Sequence, residues 1–130
     1  MNVNLTVADE MSADPITIMP HQTLKEAYKM MYAKNIRHLP VVDQEGKICG
    51  IISDRDIQRG MDSKVASTLG FRFESLSLDE EKKVMDYMTW PLKMIPKEAS
   101  LKDAAKIMLQ DRVSALVVME GEEMAGIITT

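Results

Sequence analysis

Apolar positions along the chain change their spacing from strand-like to helix-like and back, and this succession occurs twice. A short apolar run comes first, over residues 16–18 in one copy and 92–95 in the other. A stretch with apolar residues on one helical face follows, and two β-favouring runs separated by a polar turn complete the copy. We therefore predict two units, each ordered strand, helix, strand, strand.

Both predicted helices begin with the same local signal. Thr23 is followed three positions later by Glu26, and Ser100 is followed by Asp103. A hydroxyl residue and a carboxylate at this spacing predict a capping box at a helix N-terminus. The predicted apolar face of the first helix consists of Leu24, Ala27, Met30 or Met31, and Ala33.

The predicted second and third strands of each unit flank a polar turn. In the first unit they are residues 38–42 and the run through Ile51 and Ile52, around a turn at 43–47. In the second they are residues 115–119 and the run through Ile127 and Ile128. Both runs are rich in β-branched residues, which favour strands.

The two units are copies of one another. An offset of 84 − 7 = 77 pairs residues 7–45 with 84–122 without gaps and gives 12 identities in 39 positions. After the turn the offset falls to 76, so that Gly50 corresponds to Gly126. An internal duplication explains this register, since identities spread over a whole unit are expected of a shared fold.

The duplication predicts the domain organisation. We expect a first repeat over residues 1–60, a linker over 61–83 that becomes partly helical towards its end, and a second repeat over 84–130. A strand, a helix and one hairpin leave one sheet face uncovered, so burial against the other copy is the economical solution. The predicted fold is α+β, with two βαββ repeats packed sheet to sheet about a pseudo-twofold axis.

Composition narrows the class of protein. The chain has 16 basic and 20 acidic residues, a net charge of -4, so it lacks the excess of positive charge with which proteins neutralise nucleic acid. Cys49 is its one cysteine, which excludes an internal disulfide. No signal peptide or membrane-spanning run is evident, and we expect a cytoplasmic protein without membrane insertion.

An enzyme is not expected from these residues. We find no glycine-rich phosphate loop, no nucleophile with an adjacent base and no metal-spaced histidine or cysteine cluster. The sequence therefore predicts no catalytic and no metal-binding residues.

Several short motifs nevertheless occur in a characteristic order. Asp14-Pro-Ile-Thr-Ile is followed by Lys34-Asn-Ile-Arg-His-Leu-Pro-Val-Val-Asp and by Gly50-Ile-Ile-Ser-Asp-Arg-Asp-Ile. The second copy has Asp111-Arg-Val-Ser-Ala-Leu-Val-Val-Met and Gly126-Ile-Ile-Thr-Thr. This order resembles a tandem pair of cystathionine-β-synthase (CBS) domains, also called a Bateman module, over nearly the whole chain.

The resemblance implies a function. Related pairs bind AMP, ADP, ATP or S-adenosylmethionine in clefts between the repeats, commonly form homodimers, and regulate an enzyme or transporter in cis or in trans. A Gly-x-x-Ser/Thr-x-x-Asp motif holds the ribose in this family, and here it runs from Gly50 through Ser53 to Asp56. The resemblance places Arg37, His38 and Arg55 near the phosphates.

Chemistry makes these roles reasonable and leaves alternatives open. A carboxylate accepts hydrogen bonds from both ribose hydroxyls, and the first amides of the helix after Ser53 are expected to point towards an anion. The serine and Asp56 also fit a helix capping box, and the two roles are compatible. Arg37 and His38 also fit ordinary surface or structural positions.

The other half of the nucleotide site is expected from the opposite repeat. The resemblance assigns the adenine pocket of the first cleft to the first strand of repeat two and to the residues entering its second strand. The residues at these positions are Met88 to Lys93, with Lys93 as the candidate contact, and Val113, Ser114 and Ala115. Ordinary strand packing is the alternative for them.

A second cleft would take its adenine pocket from repeat one, including Ile16 and Thr17, and its ribose motif from repeat two. That motif stops at Thr130, before the expected aspartate, and we expect a second repeat truncated at its C-terminus. The alternative for the whole chain is a structural dimerisation module without a nucleotide, or one that binds a metal ion.

Overall fold

The structure is a computed structural model that describes residues 5–60, 82–90 and 92–130. Its helices are α1 (Val7–Glu10), α2 (Leu24–Lys34), α3 (Asp54–Arg59), α4 (Val84–Tyr87) and α5 (Leu101–Asp111). Its strands are β1 (Ser12–Ala13), β2 (His38–Val42), β3 (Ile48–Ser53), β4 (Met94–Pro96), β5 (Ala115–Glu120) and β6 (Glu123–Thr129). The mixed α+β class is confirmed, while sheet-to-sheet packing of the repeats stays a prediction.

The chain divides into two compact units that differ from the sequence repeats. Thr17–Trp90 form one unit, here called the contiguous unit. Met1–Ile16 and Pro91–Thr130 form the other, here called the composite unit. The first residues of each repeat therefore belong to the unit built by the rest of the other repeat.

In the contiguous unit, β2 and β3 form an antiparallel hairpin. Ile18 extends this hairpin through a parallel bridge to Val41, and Thr89 does so through an antiparallel bridge to Ile51. The apolar face of α2 packs on the hairpin, and this packing buries Leu24 and other core side chains. The core members are Ile18, Leu24, Ala27, Tyr28, Met31, Leu39, Val41, Ile52, Ile57 and Val84.

The composite unit repeats this plan with longer strands. Its sheet has the order β1-β6-β5-β4, in which only the β4 and β5 neighbours are parallel. The α5 helix supplies Ala104 to a core that also contains Val7, Ile95, Leu116, Val118 and Ile128. The predicted order of strand, helix, strand, strand is confirmed in the composite unit as β4, α5, β5 and β6. In the contiguous unit the helix and the two hairpin strands are confirmed, but the first strand predicted over residues 16–18 is reduced to the single bridge at Ile18.

The two segments that cross between repeats, residues 7–16 and 84–90, are held in equivalent ways. Val7 donates its N–H to the carbonyl of Ala99 at 2.8 Å, and Val84 donates its N–H to Gln22 at 2.8 Å. Both valines are fully buried, each in the core of its own compact unit. The offset of 77 therefore relates these contacts as well as the sequences.

The close approach of these segments explains the paired glycines. A Cβ atom on Gly50 would lie 2.5 Å from the Sδ atom of Met88, and one on Gly126 would lie 2.5 Å from the carbonyl oxygen of Ser12. Both distances are too short for a carbon atom to occupy. A hydrogen in place of a side chain lets each crossing segment lie against its hairpin.

Some details of the predicted helices are corrected. Ala33 is exposed, while Tyr28 is buried in its place, because the apolar face of α2 turns towards Tyr28 at the i+4 position from Leu24. Thr23 and Glu26 form the predicted capping box, with Glu26 N–H donating to Thr23 Oγ1 at 3.1 Å.

At the second helix one of the two capping-box hydrogen bonds is present: Asp103 N–H donates to Ser100 Oγ at 3.0 Å.

Most of the predicted linker, residues 61–81, lies outside the described residues. Within the described part of the chain, no helix has the length and apolar character needed to cross a membrane.

Candidate functional site

The open end of the β2–β3 hairpin brings together the residues predicted to hold the ribose and phosphates. His38 begins β2 and lies opposite Ser53, the last residue of β3. The N–H of Asp54 donates to the carbonyl of Arg37 at 3.0 Å, which closes this end of the hairpin. Antiparallel pairing thus places residues 37–38 beside residues 53–56, although the sequence separates them.

Ser53 and Asp56 form the capping box that the sequence offered as an alternative. Ser53 N–H donates to Asp56 Oδ2 at 2.9 Å, and Asp56 N–H donates to Ser53 Oγ at 3.2 Å. Asp56 is 7% exposed, the one charged residue in the buried part of the described chain. Helix capping is therefore an established role of Asp56, and it leaves lone pairs on both carboxylate oxygens for further donors.

The expected anion site at the start of α3 is not supported. The N–H of Asp54 donates to Arg37, and the N–H of Asp56 donates to Ser53, so two amides of the first turn already have acceptors. Asp54 and Asp56 also place negative charge there, which repels an anion.

Three arginines lie close in the chain to the residues at this end of the hairpin. Arg37 and Arg55 are exposed, and Arg59 in the last turn of α3 contacts Asp56 Oδ1. Arg59 was not among the predicted site residues. Its spacing of three from Asp56 was the available signal, but such a pair is common on any helix.

His38 is half-buried in this cluster. Burial lowers the pKa of His38 below its ordinary value, while Asp54 and Asp56 act in the opposite direction and Arg37 again lowers it. The net effect favours the neutral imidazole, which can donate through one nitrogen and accept through the other. Asp54, also absent from the predicted site, thus belongs to its electrostatic surroundings.

The corresponding end of the β5–β6 hairpin is chemically different. Ala115 lies opposite Thr129, and the carbonyl of Ser114 accepts the N–H of Thr130 at 3.1 Å. Small neutral residues stand where the contiguous unit has Arg37 and His38. The duplication therefore preserved the backbone arrangement but not the charge.

The remaining predicted residues are divided between the units. Thr17 is half-buried in the contiguous unit, next to the bridge at Ile18, whereas Ile16 is exposed and belongs to the composite unit. In the composite unit, Lys93 forms an exposed ion pair with Asp111 at 3.5 Å. Val113 is half-buried beyond the end of α5.

A metal centre is not found among the residues that the structure describes. Residues 5–60, 82–90 and 92–130 contain no group of three or more His, Cys, Asp or Glu side chains arranged to hold an ion.

Comparison with protein families and curated proteins confirms the duplicated resemblance. The model of the CBS domain family matches residues 7–63 and again residues 84–130. The chain is 28% identical to the CBS domain-containing protein YhcV of Bacillus subtilis, over 95% of this chain and 79% of that protein. It is 33% identical to inosine-5'-monophosphate dehydrogenase of Methanocaldococcus jannaschii over 89% of this chain, but it spans 20% of that enzyme's length.

Solved structures support the same fold. The structure of CBSX2 in complex with AMP has a TM-score of 0.75 and 25% identity, covering 96% of this chain and 90% of the other. The CBS domain pair of protein MJ0100, in complex with 5'-methylthioadenosine and S-adenosyl-L-methionine, has a TM-score of 0.72 and 27% identity. These matches cover 95% of this chain and 88% of the MJ0100 chain.

Proposed function

We propose that this chain, which belongs to the CBS domain family and carries the domain twice, is a regulatory module that binds an adenosine-containing ligand through Asp56. AMP, ADP, ATP and S-adenosylmethionine are the candidate effectors. The observation that carries the proposal is the buried carboxylate of Asp56 at the open end of the β2–β3 hairpin, where His38 lies opposite Ser53.

The chemistry of Asp56 suits a ribose. Its two oxygens have about four lone-pair sites, and the hydrogen bonds from Ser53 and Arg59 use one on each oxygen. The 2'- and 3'-hydroxyls of a ribose present two donors at adjacent carbons, which matches the two remaining sites. We assign the ribose to Asp56 and Ser53 on this ground.

The phosphates or other charged groups are assigned to the exposed arginines. Arg37 and Arg55 are always charged, and a guanidinium can donate two parallel hydrogen bonds to a phosphate. His38, whose neutral form is favoured by burial, is assigned a single hydrogen bond to the ligand.

The adenine contacts remain those inferred from the family resemblance. Lys93, Val113, Ser114 and Ala115 belong to the composite unit, and we keep them as proposed adenine contacts. We likewise keep Ile16 and Thr17 as proposed contacts of a second ligand. The regulatory step is a shift of population: a ligand that prefers one arrangement of the module stabilises it, and a partner enzyme or transporter responds.

The test is binding measured by calorimetry and by thermal shift with AMP, ADP, ATP and S-adenosylmethionine, with guanosine nucleotides as specificity controls. Asp56→Asn is the informative variant because asparagine keeps the shape of the side chain and an oxygen for Ser53 N–H. Asp9→Asn is the matched control, since Asp9 accepts Thr6 N–H at 2.8 Å in the capping box of α1 in the composite unit.

We expect an adenosine ligand at a hundredfold excess over its Kd to stabilise the wild type by about 2.7 kcal/mol, roughly 10 °C in Tm. The Asp9→Asn variant should respond equally, and Asp56→Asn should respond little. An equal response in both variants would contradict the role of Asp56. No response of the wild type to any of these ligands would refute the proposed function and favour a structural dimerisation module.

A further inference from the structure

Arg59 connects the candidate ribose carboxylate to one of the crossing segments. Its Nη2 atom contacts Asp56 Oδ1 and also donates to the carbonyl oxygen of Tyr87 at 3.1 Å. This nitrogen carries two hydrogens, so it can serve both acceptors at once. Both contacts lie inside the contiguous unit.

The bond to Asp56 completes the restraint of a buried carboxylate. Ser53 N–H holds Oδ2 at 2.9 Å, and Arg59 holds Oδ1. A carboxylate with both oxygens held has a fixed plane, and its remaining lone pairs point in fixed directions. Loss of one support leaves the charge buried without its counter-ion and lets the plane rotate, which disfavours a ligand that needs both oxygens.

The bond to Tyr87 supports the end of α4. This helix has four residues, and its last carbonyls have no partner within the helix. A cation at a helix C-terminus is favourable. The segment is further held by the N–H of Thr89, which donates to Ile51 at 2.8 Å, and by the N–H of Val84, which donates to Gln22 at 2.8 Å.

We propose that Arg59 is the positioning residue of Asp56, and that through Arg59 ligand binding and the docking of residues 84–90 stabilise each other. The inference rests on the proposed function. Coupling of this kind is reciprocal: the factor by which docking raises ligand affinity equals the factor by which the ligand favours docking. If the ion pair were merely structural, its loss would lower stability slightly and leave ligand affinity unchanged. The loss would be slight because Arg59 is 64% exposed and exposed pairs contribute about 0.2–1 kcal/mol to stability.

The first experiment compares ligand affinity with stability in Arg59→Gln and Arg59→Lys, with Lys106→Gln as an exposed control that removes the same charge. The probe is adenosine, because it carries no phosphate on which the charge of Arg59 could act directly. We expect Arg59→Gln to weaken adenosine binding about tenfold, corresponding to about 1.4 kcal/mol. Arg59→Lys should recover part of this loss, and Lys106→Gln should bind as the wild type.

Two results would overturn the inference at this stage. One is wild-type affinity for adenosine in Arg59→Gln. The other is a loss of AMP binding with adenosine binding intact, which would make Arg59 a charge that attracts phosphate.

The second experiment follows hydrogen exchange at the amides of Met88 and Thr89, which donate to Val84 and Ile51 respectively. Saturating adenosine should slow their exchange severalfold in the wild type and have little effect in Arg59→Gln. Equal exchange with and without adenosine in a wild type that binds it would overturn the coupling alone. If the wild type binds no adenosine ligand at all, the proposed function is wrong and this inference falls with it.

Discussion

Replacing Gly126 by alanine tests the close approach of residues 7–16 to β6. The added Cβ atom would lie 2.5 Å from the carbonyl oxygen of Ser12 and 2.9 Å from Sδ of Met11. Carbon atoms of side chains essentially never approach closer than 3.0 Å, so the β1 backbone must move by at least 0.5 Å. A backbone oxygen cannot avoid the contact by rotating a side chain.

The expected cost follows from three contributions. Overpacking costs about 1–3 kcal/mol, and weakening a hydrogen bond of the β1–β6 pairing adds about 1 kcal/mol. The smaller conformational entropy of the unfolded alanine variant offsets about 0.4–1 kcal/mol. We expect the free energy of unfolding to fall by about 2 kcal/mol, which lowers Tm by roughly 8 °C.

The matched variant is Gly50→Ala in the contiguous unit. There the nearest atom is Met88 Sδ, at 2.5 Å, and the nearest backbone atom, Thr89 O, lies at 3.3 Å. A methionine side chain can adopt another rotamer, so we expect a loss of less than about 1 kcal/mol. Gly121→Ala is a second comparison. Gly121 is a turn residue with φ of +62°, and a Cβ atom there would have nothing within 4 Å, so this variant measures the cost of backbone strain alone, without a steric clash.

The assay is urea unfolding of the three variants, with midpoint and slope compared with the wild type. The reasoning is refuted if Gly126→Ala is as stable as the wild type, or if Gly50→Ala costs more than Gly126→Ala. Hydrogen exchange should show the loss concentrated at the β1–β6 pairing, since Ala13 lies opposite Gly126.

Other predictions concern single side chains of both units. Because burial lowers the pKa of His38, the unfolded chain binds a proton at higher pH than the folded one, so stability should fall as pH drops below about 6.5. This part of the pH dependence, measured by urea unfolding, should disappear in His38→Gln. Its persistence in that variant would contradict the assignment. Ser53→Ala and Ser100→Ala should each lose about 1 kcal/mol of capping energy by urea unfolding, but only Ser53→Ala should weaken ligand binding in calorimetry. Burial, and then Asp43, raise the pKa of Cys49, so alkylation at about pH 8 should be slower in folded than in urea-unfolded protein; equal rates would contradict this.

The sequence predicted the order of elements well because each depends on local spacing. The capping box at Thr23 and the strand His38–Val42 follow from neighbouring residues alone. Local spacing could not predict that residues 7–16 and 84–90 each pack in the unit built by the rest of the other repeat. Val7 and Val84 are identical and occupy the same place in the two repeats, so the sequence does not show in which unit each is buried.

The sequence named several residues of the candidate site but not the hydrogen bonds that link them to other segments. The family motif identified Ser53 and Asp56, and antiparallel pairing brought Arg37 and His38 beside them. The second contact of Arg59, with Tyr87, spans 28 residues and ends on a carbonyl oxygen. A backbone acceptor carries no sequence signature, so this contact required the structure.

The exchange of segments also sets an order of events during synthesis. The contiguous unit is complete once Trp90 has left the ribosome, so its hairpin, helices and crossing segment can assemble while the rest of the chain is still being made. The α1 helix, although made before the contiguous unit, finds its backbone acceptor only when Ala99 has been added and its core only when Leu116 and Ile128 follow. The unit with the candidate ribose carboxylate is therefore expected to fold before the composite unit, and residues 7–16, although made earlier than that unit, are placed later.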